Sequence, residues 1–127
     1  MSEKLKILVL DDSAFVLDVV RQTLAEEGYQ VLTAGSLADF DRELAKGQPH
    51  LILVDIKMPE ISGERVCQVL KQRLETQSIP IVLFSTLEER KLAVLAARAG
   101  ADGYVSKNAG LDEIVRQIRE ITDNIVF

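Results

Sequence analysis

The chain has 127 residues, 47% of them hydrophobic and 28% charged, a composition typical of one globular domain and not of a disordered segment. A formal net charge of -5 is the opposite of the basic excess with which proteins bind a nucleic acid backbone, so we expect no direct nucleic acid binding. No apolar run has the length of a membrane span or of a signal peptide's hydrophobic region, so we expect a cytoplasmic protein without membrane contact.

The first half of the chain predicts three strands that alternate with two helices. Short, almost continuous apolar runs are typical of strands that are covered on both faces. These runs are residues 6–10, 29–33 and 51–54. Ser13 is placed to cap a first helix that ends near Glu27. Ser36 and Asp39 have the spacing of a capping box, which predicts a second helix that ends near Gly47.

The second half of the chain continues the alternation with two strands and three helices. The strands are residues 81–84 and 103–106. A third helix is predicted after Gly63 and runs to about Glu75. Thr86 and Glu89 have the spacing of another capping box, and the fourth helix ends at Gly100. The fifth helix is marked by apolar residues at helical spacing, which are Leu111, Ile114, Val115, Ile118 and Ile121.

Strands that alternate with helices in this way predict an α/β fold, a parallel sheet with helices on both faces, formed by residues 1–127 as one domain. Ligands of such sheets bind just beyond the carboxyl ends of the strands, so the side chains at those ends are the candidates for chemistry. They are Asp11, Asp12, Asp55, Ser85, Thr86 and Lys107.

The candidate residues form a chemically complementary set. Three carboxylates on one edge repel each other unless a cation lies between them, and hard oxygen ligands favour Mg²⁺. A hydroxyl and an ammonium suit the oxygens of a phosphoryl group, and a carboxylate can be the nucleophile that forms an aspartyl phosphate. Taken singly, each residue is better explained as a turn former, a helix cap or a surface lysine than as part of a site. Their joint delivery by four strands is what favours a site.

Four short segments occur in a fixed order along this pattern. They are Leu10-Asp11-Asp12-Ser13, Val54-Asp55-Ile56-Lys57-Met58-Pro59 with Gly63, Ser85-Thr86, and Gly103-Tyr104-Val105-Ser106-Lys107. In this order and spacing the chain resembles, over essentially its whole length, the receiver domains of two-component response regulators. The resemblance implies a doubly wound, flavodoxin-like (βα)5 fold with strand order 2-1-3-4-5.

The resemblance also implies roles at the strand ends. Asp55 is implied as the phospho-acceptor, which takes a phosphoryl group from a phosphohistidine on a sensor histidine kinase or phosphotransfer protein. Asp12 and Asp55 are implied as direct Mg²⁺ ligands, with Asp11 acting through water and Lys57 supplying its backbone carbonyl. Such a domain is not an enzyme beyond its own phosphotransfer and autodephosphorylation.

A switch is implied by the same resemblance. Ser85 is implied to bond a phosphoryl oxygen, Lys107 to pair with another, and the Tyr104 ring to turn inward when the domain is active. The surface of the fourth helix, fifth strand and fifth helix then signals to a downstream target protein or output domain. On that surface we expect Leu92 and Leu95 to face the core. The exposed residues are expected to be Arg90, Lys91 and Arg98, with Tyr104 beside them.

The chain departs from the usual receiver pattern at a few positions. Asn108 stands where proline is usual, and Thr86 stands where alanine or glycine usually leaves a path to the phosphoryl group. Lys57 and Leu87 occupy places where the family varies and tunes dephosphorylation. The residue at position 108 therefore affects how far the Lys107 side chain reaches. The size of Thr86 affects how wide the path to Asp55 is.

Other functions are weighed against this one. A haloacid-dehalogenase-type phosphatase requires an acidic residue two places after its aspartyl nucleophile, where this chain has Lys57. A dinucleotide-binding domain requires a glycine-rich turn after the first strand, and a flavin carrier a hydroxyl-rich phosphate loop, where this chain has Asp11-Asp12-Ser13. A receiver-like docking module that signals without phosphorylation remains the alternative.

Overall fold

Five parallel strands form a single sheet in the order β2-β1-β3-β4-β5 in the structure, a computed structural model that describes residues 4–125. The strands are β1 Lys6–Leu10, β2 Gln30–Ala34, β3 Leu51–Asp55, β4 Ile81–Ser85 and β5 Gly103–Ser106. The helices are α1 Ala14–Glu26, α2 Leu37–Lys46, α3 Gly63–Gln72, α4 Glu89–Ala99 and α5 Leu111–Thr122. A short 3₁₀ turn, Lys107–Ala109, joins β5 to α5.

The sheet is covered on both faces, and this explains the nearly continuous apolar runs of its central strands. Successive residues of β1, β3 and β4 alternate between two separate core clusters. One cluster joins the sheet to α2, α3 and α4, and it includes Leu8, Ile52, Leu83, Phe40, Leu70 and Leu92. The other joins the sheet to α1 and α5, and it includes Val9, Leu53, Val82, Leu24, Ile114 and Ile118. The predicted doubly wound architecture is confirmed.

The N-terminal caps of α1 and α2 follow the sequence prediction. The Ser13 hydroxyl accepts from the Val16 amide at 3.3 Å, and the Ser36 hydroxyl accepts from the Asp39 amide at 3.2 Å. Each contact satisfies one of the unpaired amides of a helix's first turn. Strand β2 begins one residue later than predicted, because the Tyr29 amide still donates to the Leu24 carbonyl at the end of α1.

Helix α3 ends at Gln72, three residues before the predicted end at Glu75. The next residue, Arg73, is extended, with φ -94° and ψ 136°. The buried hydroxyl of Thr76 turns back and donates to the Leu70 carbonyl at 2.7 Å, which satisfies an acceptor that a longer helix would have used. A side-chain contact from beyond the helix therefore decides where it stops.

The predicted capping box of α4 is wrong. The helix begins at Glu89 with Glu88 as its N-terminal cap residue, and no side-chain hydrogen bond caps it. Thr86 lies before the cap residue, within a turn that follows β4. In that turn the Ser85 hydroxyl accepts from the Leu87 amide. Between residues 4 and 125, no helix is both long and apolar enough to cross a membrane.

Candidate functional site

The carboxyl ends of β1, β3, β4 and β5 lie along one edge of the sheet. The strand register pairs Leu10 with Val54, and Asp55 with Phe84. It also pairs Ser85 with Ser106, so the residue after β5 lies next to the end of β4. All the strand-end residues named from the sequence therefore share this edge, as parallel pairing requires.

Three carboxylates meet at this edge. One oxygen each from Asp11, Asp12 and Asp55 lies within 4.8 Å of the others. Asp11 is fully buried and Asp55 is 3% exposed, whereas Asp12 is exposed to solvent. Asp11 is held in place because its Oδ1 accepts from the Ser13 amide at 2.9 Å, at the start of α1. The cluster is thus buried on one side and open to solvent on the other.

Lys107 reaches into the carboxylate cluster. Its Nζ lies 2.8 Å from Asp11 Oδ2 and 3.1 Å from Asp55 Oδ1. The same ammonium lies 5.0 Å from the centre of the Phe84 ring, which adds a favourable cation–π contact. Asn108, in the usual place of proline, does not prevent this reach. Its amide donates to the Ser106 hydroxyl and its peptide bond is trans, as is every other peptide bond between residues 4 and 125.

The electrostatics of the cluster follow from burial and from its excess of negative charge. Burial raises the pKa of the Asp55 carboxyl, and the nearby charge of Asp11 raises it further. The Lys107 ammonium and the Lys57 backbone N–H oppose that rise. Burial alone lowers the pKa of Lys107, but its hydrogen bonds to Asp11 and Asp55, with their charges, outweigh burial and raise it. Lys107 is therefore fully protonated at neutral pH.

The donor set fits a hard divalent cation. Only oxygen ligands are present, and they lie close enough together for one small ion to contact several. Asp11 Oδ2 is buried, and the partner nearest to it is the Lys107 ammonium at 2.8 Å. A buried oxygen of this kind is completed by a cation or by water.

The loop between β4 and α4 carries the hydroxyl residues of the site. Ser85 is fully buried, and its hydroxyl accepts from the Leu87 amide at 3.2 Å. The Thr86 hydroxyl accepts from the Lys57 ammonium at 3.3 Å, and the Thr86 carbonyl accepts from Asn108 Nδ2 at 3.2 Å. Sequence reasoning missed both contacts at Thr86, because no local pattern connects three loops that lie far apart in the chain.

Gly63 determines how closely α3 approaches β3. A Cβ at this position would lie 2.3 Å from the carbonyl oxygen of Asp55 and 2.8 Å from Ile56 Cα. The Gly63 amide donates to the Ile56 carbonyl at 2.9 Å, which fixes the same approach. Any larger residue must push the β3–α3 loop away from the carboxylates.

The charged residues predicted for the surface of α4, β5 and α5 are exposed, whereas Tyr104 is only partly so. Leu92 is buried, and Arg90 and Lys91 are exposed, as expected. Tyr104 is half-buried and packs against the core cluster under α4. Arg98 is exposed as predicted, and it also forms an ion pair at 2.9 Å with Glu64 of α3, which the sequence did not indicate.

Comparisons with known proteins agree on one family. The family model described as response regulator receiver domain matches residues 7–119. The chain is 34% identical over 113 residues to the transcriptional regulatory protein KdpE of Mycobacterium tuberculosis, which covers 89% of this chain and 49% of that protein. It is 32% identical over 120 residues to the probable transcriptional regulator ycf27 of Porphyra purpurea. That match covers 94% of this chain and 48% of the relative. The chain thus spans about half the length of these curated relatives.

Solved structures show the same fold. The response regulator protein TrrA of Thermotoga maritima, solved in complex with Mg(2+)-BeF, is 28% identical with a TM-score of 0.79, covering 92% of this chain and 98% of that one. The chemotaxis protein CheY4 of Vibrio cholerae is 22% identical with a TM-score of 0.85, covering 94% and 99%. At that identity, the second likeness supports the fold alone.

Proposed function

Because the chain belongs to the response regulator receiver domain family, we propose that it is a phospho-accepting signalling domain, residues 1–127, with Asp55 as its acceptor. The proposed donor is a phosphohistidine on a sensor histidine kinase or phosphotransfer protein. The observation that carries the proposal is the Lys107 ammonium, which contacts both Asp11 and Asp55 at the edge where Asp12 opens the cluster to solvent. An ion pair that served only to stabilise the fold would not require Asp12 as a third, solvent-exposed carboxylate.

The transfer step follows from the position of Asp55. A carboxylate oxygen of Asp55 attacks the phosphorus, a P–O bond forms, the P–N bond to the donor's imidazole breaks, and the imidazole takes up a proton from solvent. Phosphoryl transfer needs in-line positioning and charge neutralisation more than covalent help from the protein. Lys107, already 3.1 Å from Asp55 Oδ1, neutralises charge on a phosphoryl oxygen without a large movement.

A bound Mg²⁺ supplies further neutralisation of the phosphoryl oxygens and orients them for attack. The residues that would hold the ion are Asp12 and Asp55 directly, Asp11 through water, and Lys57 through its backbone carbonyl. The all-oxygen donor set, and its opening to solvent at Asp12, support this assignment. TrrA, which is 28% identical, was solved with Mg(2+)-BeF.

The output proposed for this domain is a change in the α4, β5 and α5 surface. Ser85 would bond a phosphoryl oxygen and leave its present hydrogen bond with Leu87. Tyr104, half-buried beside α4, would then turn further inward. The changed surface would be recognised by a target protein or an output domain, and the phosphoryl group would later be lost by autodephosphorylation.

Incubation with acetyl phosphate and Mg²⁺, followed by intact-mass and tandem mass spectrometry, tests the proposal. We expect one phosphoryl group on Asp55 and none on the Asp55→Asn variant. Asp41→Asn, which changes an exposed carboxylate on α2, is the matched control and should be modified like the wild type. Absence of modification in the wild type, with the fold intact, would favour the phosphorylation-independent docking module.

A further inference from the structure

Three loops at the site edge meet at Thr86. From the β3–α3 loop, Lys57 Nζ donates to the Thr86 hydroxyl at 3.3 Å. From the β5–α5 connection, Asn108 Nδ2 donates to the Thr86 carbonyl at 3.2 Å. Thr86 itself belongs to the β4–α4 loop, so its side chain and its backbone are each held by a different neighbouring loop. We call Lys57, Thr86 and Asn108 the Thr86 latch.

Both partners in the latch are anchored close to the chemistry. Lys57 follows Asp55 by two residues, and Asn108 directly follows Lys107. The Asn108 amide also donates to the Ser106 hydroxyl at 3.1 Å, which fixes the position from which its side chain reaches Thr86. Exposed hydrogen bonds of this kind add little to global stability, so their effect is on the position of the loop.

We propose that Lys57 and Asn108 are positioning residues that hold the β4–α4 loop, through Thr86, in the arrangement of the unphosphorylated domain. In that arrangement the Ser85 hydroxyl is engaged by the Leu87 amide. Ser85 reaches a phosphoryl group only if the turn at residues 85–87 reorganises, and Thr86 is the middle residue of that turn. The latch therefore opposes the movement, and this consequence rests on the proposed function.

Phosphorylation of Asp55 would also break the contact between Lys57 and Thr86. Its ammonium donates to a neutral hydroxyl in the structure. A phosphoryl group on Asp55, two residues away, offers a dianionic acceptor, and a charge-assisted hydrogen bond is about twice as strong as one to a neutral group. Phosphorylation thus withdraws Lys57 from Thr86 and leaves Asn108 as the remaining restraint.

Hydrogen exchange of the Leu87 amide, followed by NMR in the unmodified protein, measures opening of the loop without any phosphorylation. Loss of one exposed hydrogen bond should accelerate exchange by about two- to fivefold in Lys57→Met, Thr86→Val and Asn108→Ala. Thr86→Ser keeps the hydroxyl and should match the wild type. Lys91→Met, which removes an exposed lysine of α4, controls for the change in net charge.

A double-mutant cycle assigns the Lys57 contact. Lys57→Met should have no further effect in the Thr86→Val background, because the same hydrogen bond is already lost, whereas Asn108→Ala should still add its own effect. The latch is refuted if Leu87 exchange is unchanged in the single variants. It is also refuted if Lys57→Met accelerates exchange equally with and without the Thr86 hydroxyl.

Titration with fluoroberyllate and Mg²⁺ then tests the link to the phosphoryl site. Thr86→Val and Asn108→Ala leave the charge of the site unchanged, and both should bind fluoroberyllate about two- to fivefold more tightly, because the restraint on the active arrangement is weaker. Equal or weaker binding by both variants overturns the proposed coupling. Failure of the wild type to bind fluoroberyllate refutes the proposed function instead, and the exchange experiment still decides whether the latch exists.

Discussion

Replacing Asp55 by asparagine should raise the free energy of unfolding of the metal-free protein at neutral pH. The carboxylate is buried and lies within 4.8 Å of an oxygen of Asp11, where an effective dielectric constant near 20 gives a repulsion of about 3.5 kcal/mol. Lys107, at 3.1 Å, offsets this with an attraction of about 5 kcal/mol by the same relation. Asp12 adds a further repulsion that solvent weakens.

The desolvation of Asp55 decides the sign of the sum. Attraction and repulsion nearly cancel, whereas burial of the charge is a cost that asparagine does not have, and it is the largest cause of the raised pKa of Asp55. We therefore expect Asp55→Asn to be more stable by about 1–2 kcal/mol, the size of a typical single-site effect. Urea denaturation in the presence of a chelator, with unchanged m-values, is the measurement.

The pH dependence of this gain has a defined sign. Because the pKa of Asp55 is raised in the folded protein, its protonated form stabilises the fold below the ordinary value of 3.8, and this contribution is lost as pH rises through the raised pKa. The advantage of Asp55→Asn should therefore be small in acid and full at neutral pH. Saturating Mg²⁺ should reverse it, because ligand at about 100 times its Kd stabilises only the wild type, by about 2.7 kcal/mol.

Two outcomes would refute the reasoning about Asp55. A clear loss of stability in metal-free Asp55→Asn at neutral pH would mean that the ion pair with Lys107 outweighs burial and repulsion together. An equal gain in Asp41→Asn, which removes an exposed charge from α2, would mean that net charge and not the site is responsible.

Three other variants test separate parts of the structure. Calorimetric titration of the wild type with Mg²⁺ should show one weak site, and Asp12→Ala should abolish it; retained binding would remove Asp12 from the ligand set. Gly63→Ala should cost about 2–3 kcal/mol in denaturation, because its Cβ would overlap the Asp55 carbonyl at 2.3 Å; a neutral result would contradict that close approach. Burial raises the pKa of Cys67 to about 11, so the thiol of the native protein should resist alkylation. The free energy of unfolding should fall as pH rises from 9.0 to about 11, because the thiol ionises more readily in the unfolded chain, and it should fall less in Cys67→Ala.

The strands were predictable because their sequence pattern has one physical cause. A strand buried on both faces needs apolar residues throughout, and β1 occupies the predicted residues for this reason. The end of α3 and the start of α4 were not predictable, since each is decided by a hydroxyl outside the helix. Thr76 bonds back to Leu70, and Ser85 accepts from the Leu87 amide.

In the site, too, the positions set by parallel strands were predictable, whereas the contacts made by long side chains were not. Convergence of Asp11, Asp55 and Lys107 follows from their places at strand ends, so the sequence predicted it. The contacts of Lys57 with Thr86 and of Arg98 with Glu64 depend on long side chains that cross between loops or helices. Nothing in the spacing of residues along the chain indicates such partners.

In the proposed function, transfer and signalling would use different parts of the site edge. Lys107 already contacts Asp55 and would need no large movement to neutralise an incoming phosphoryl group. In the proposed switch, Lys57 would leave Thr86 for the phosphoryl group, whereas Ser85 would respond only after the β4–α4 loop gives up its contact with the Leu87 amide. Because that loop leads directly into α4, its movement would connect Asp55 to the surface of α4, β5 and α5 in the proposed switch. Variants of the loop should therefore change the switch while leaving the pairing of Lys107 with the carboxylates intact.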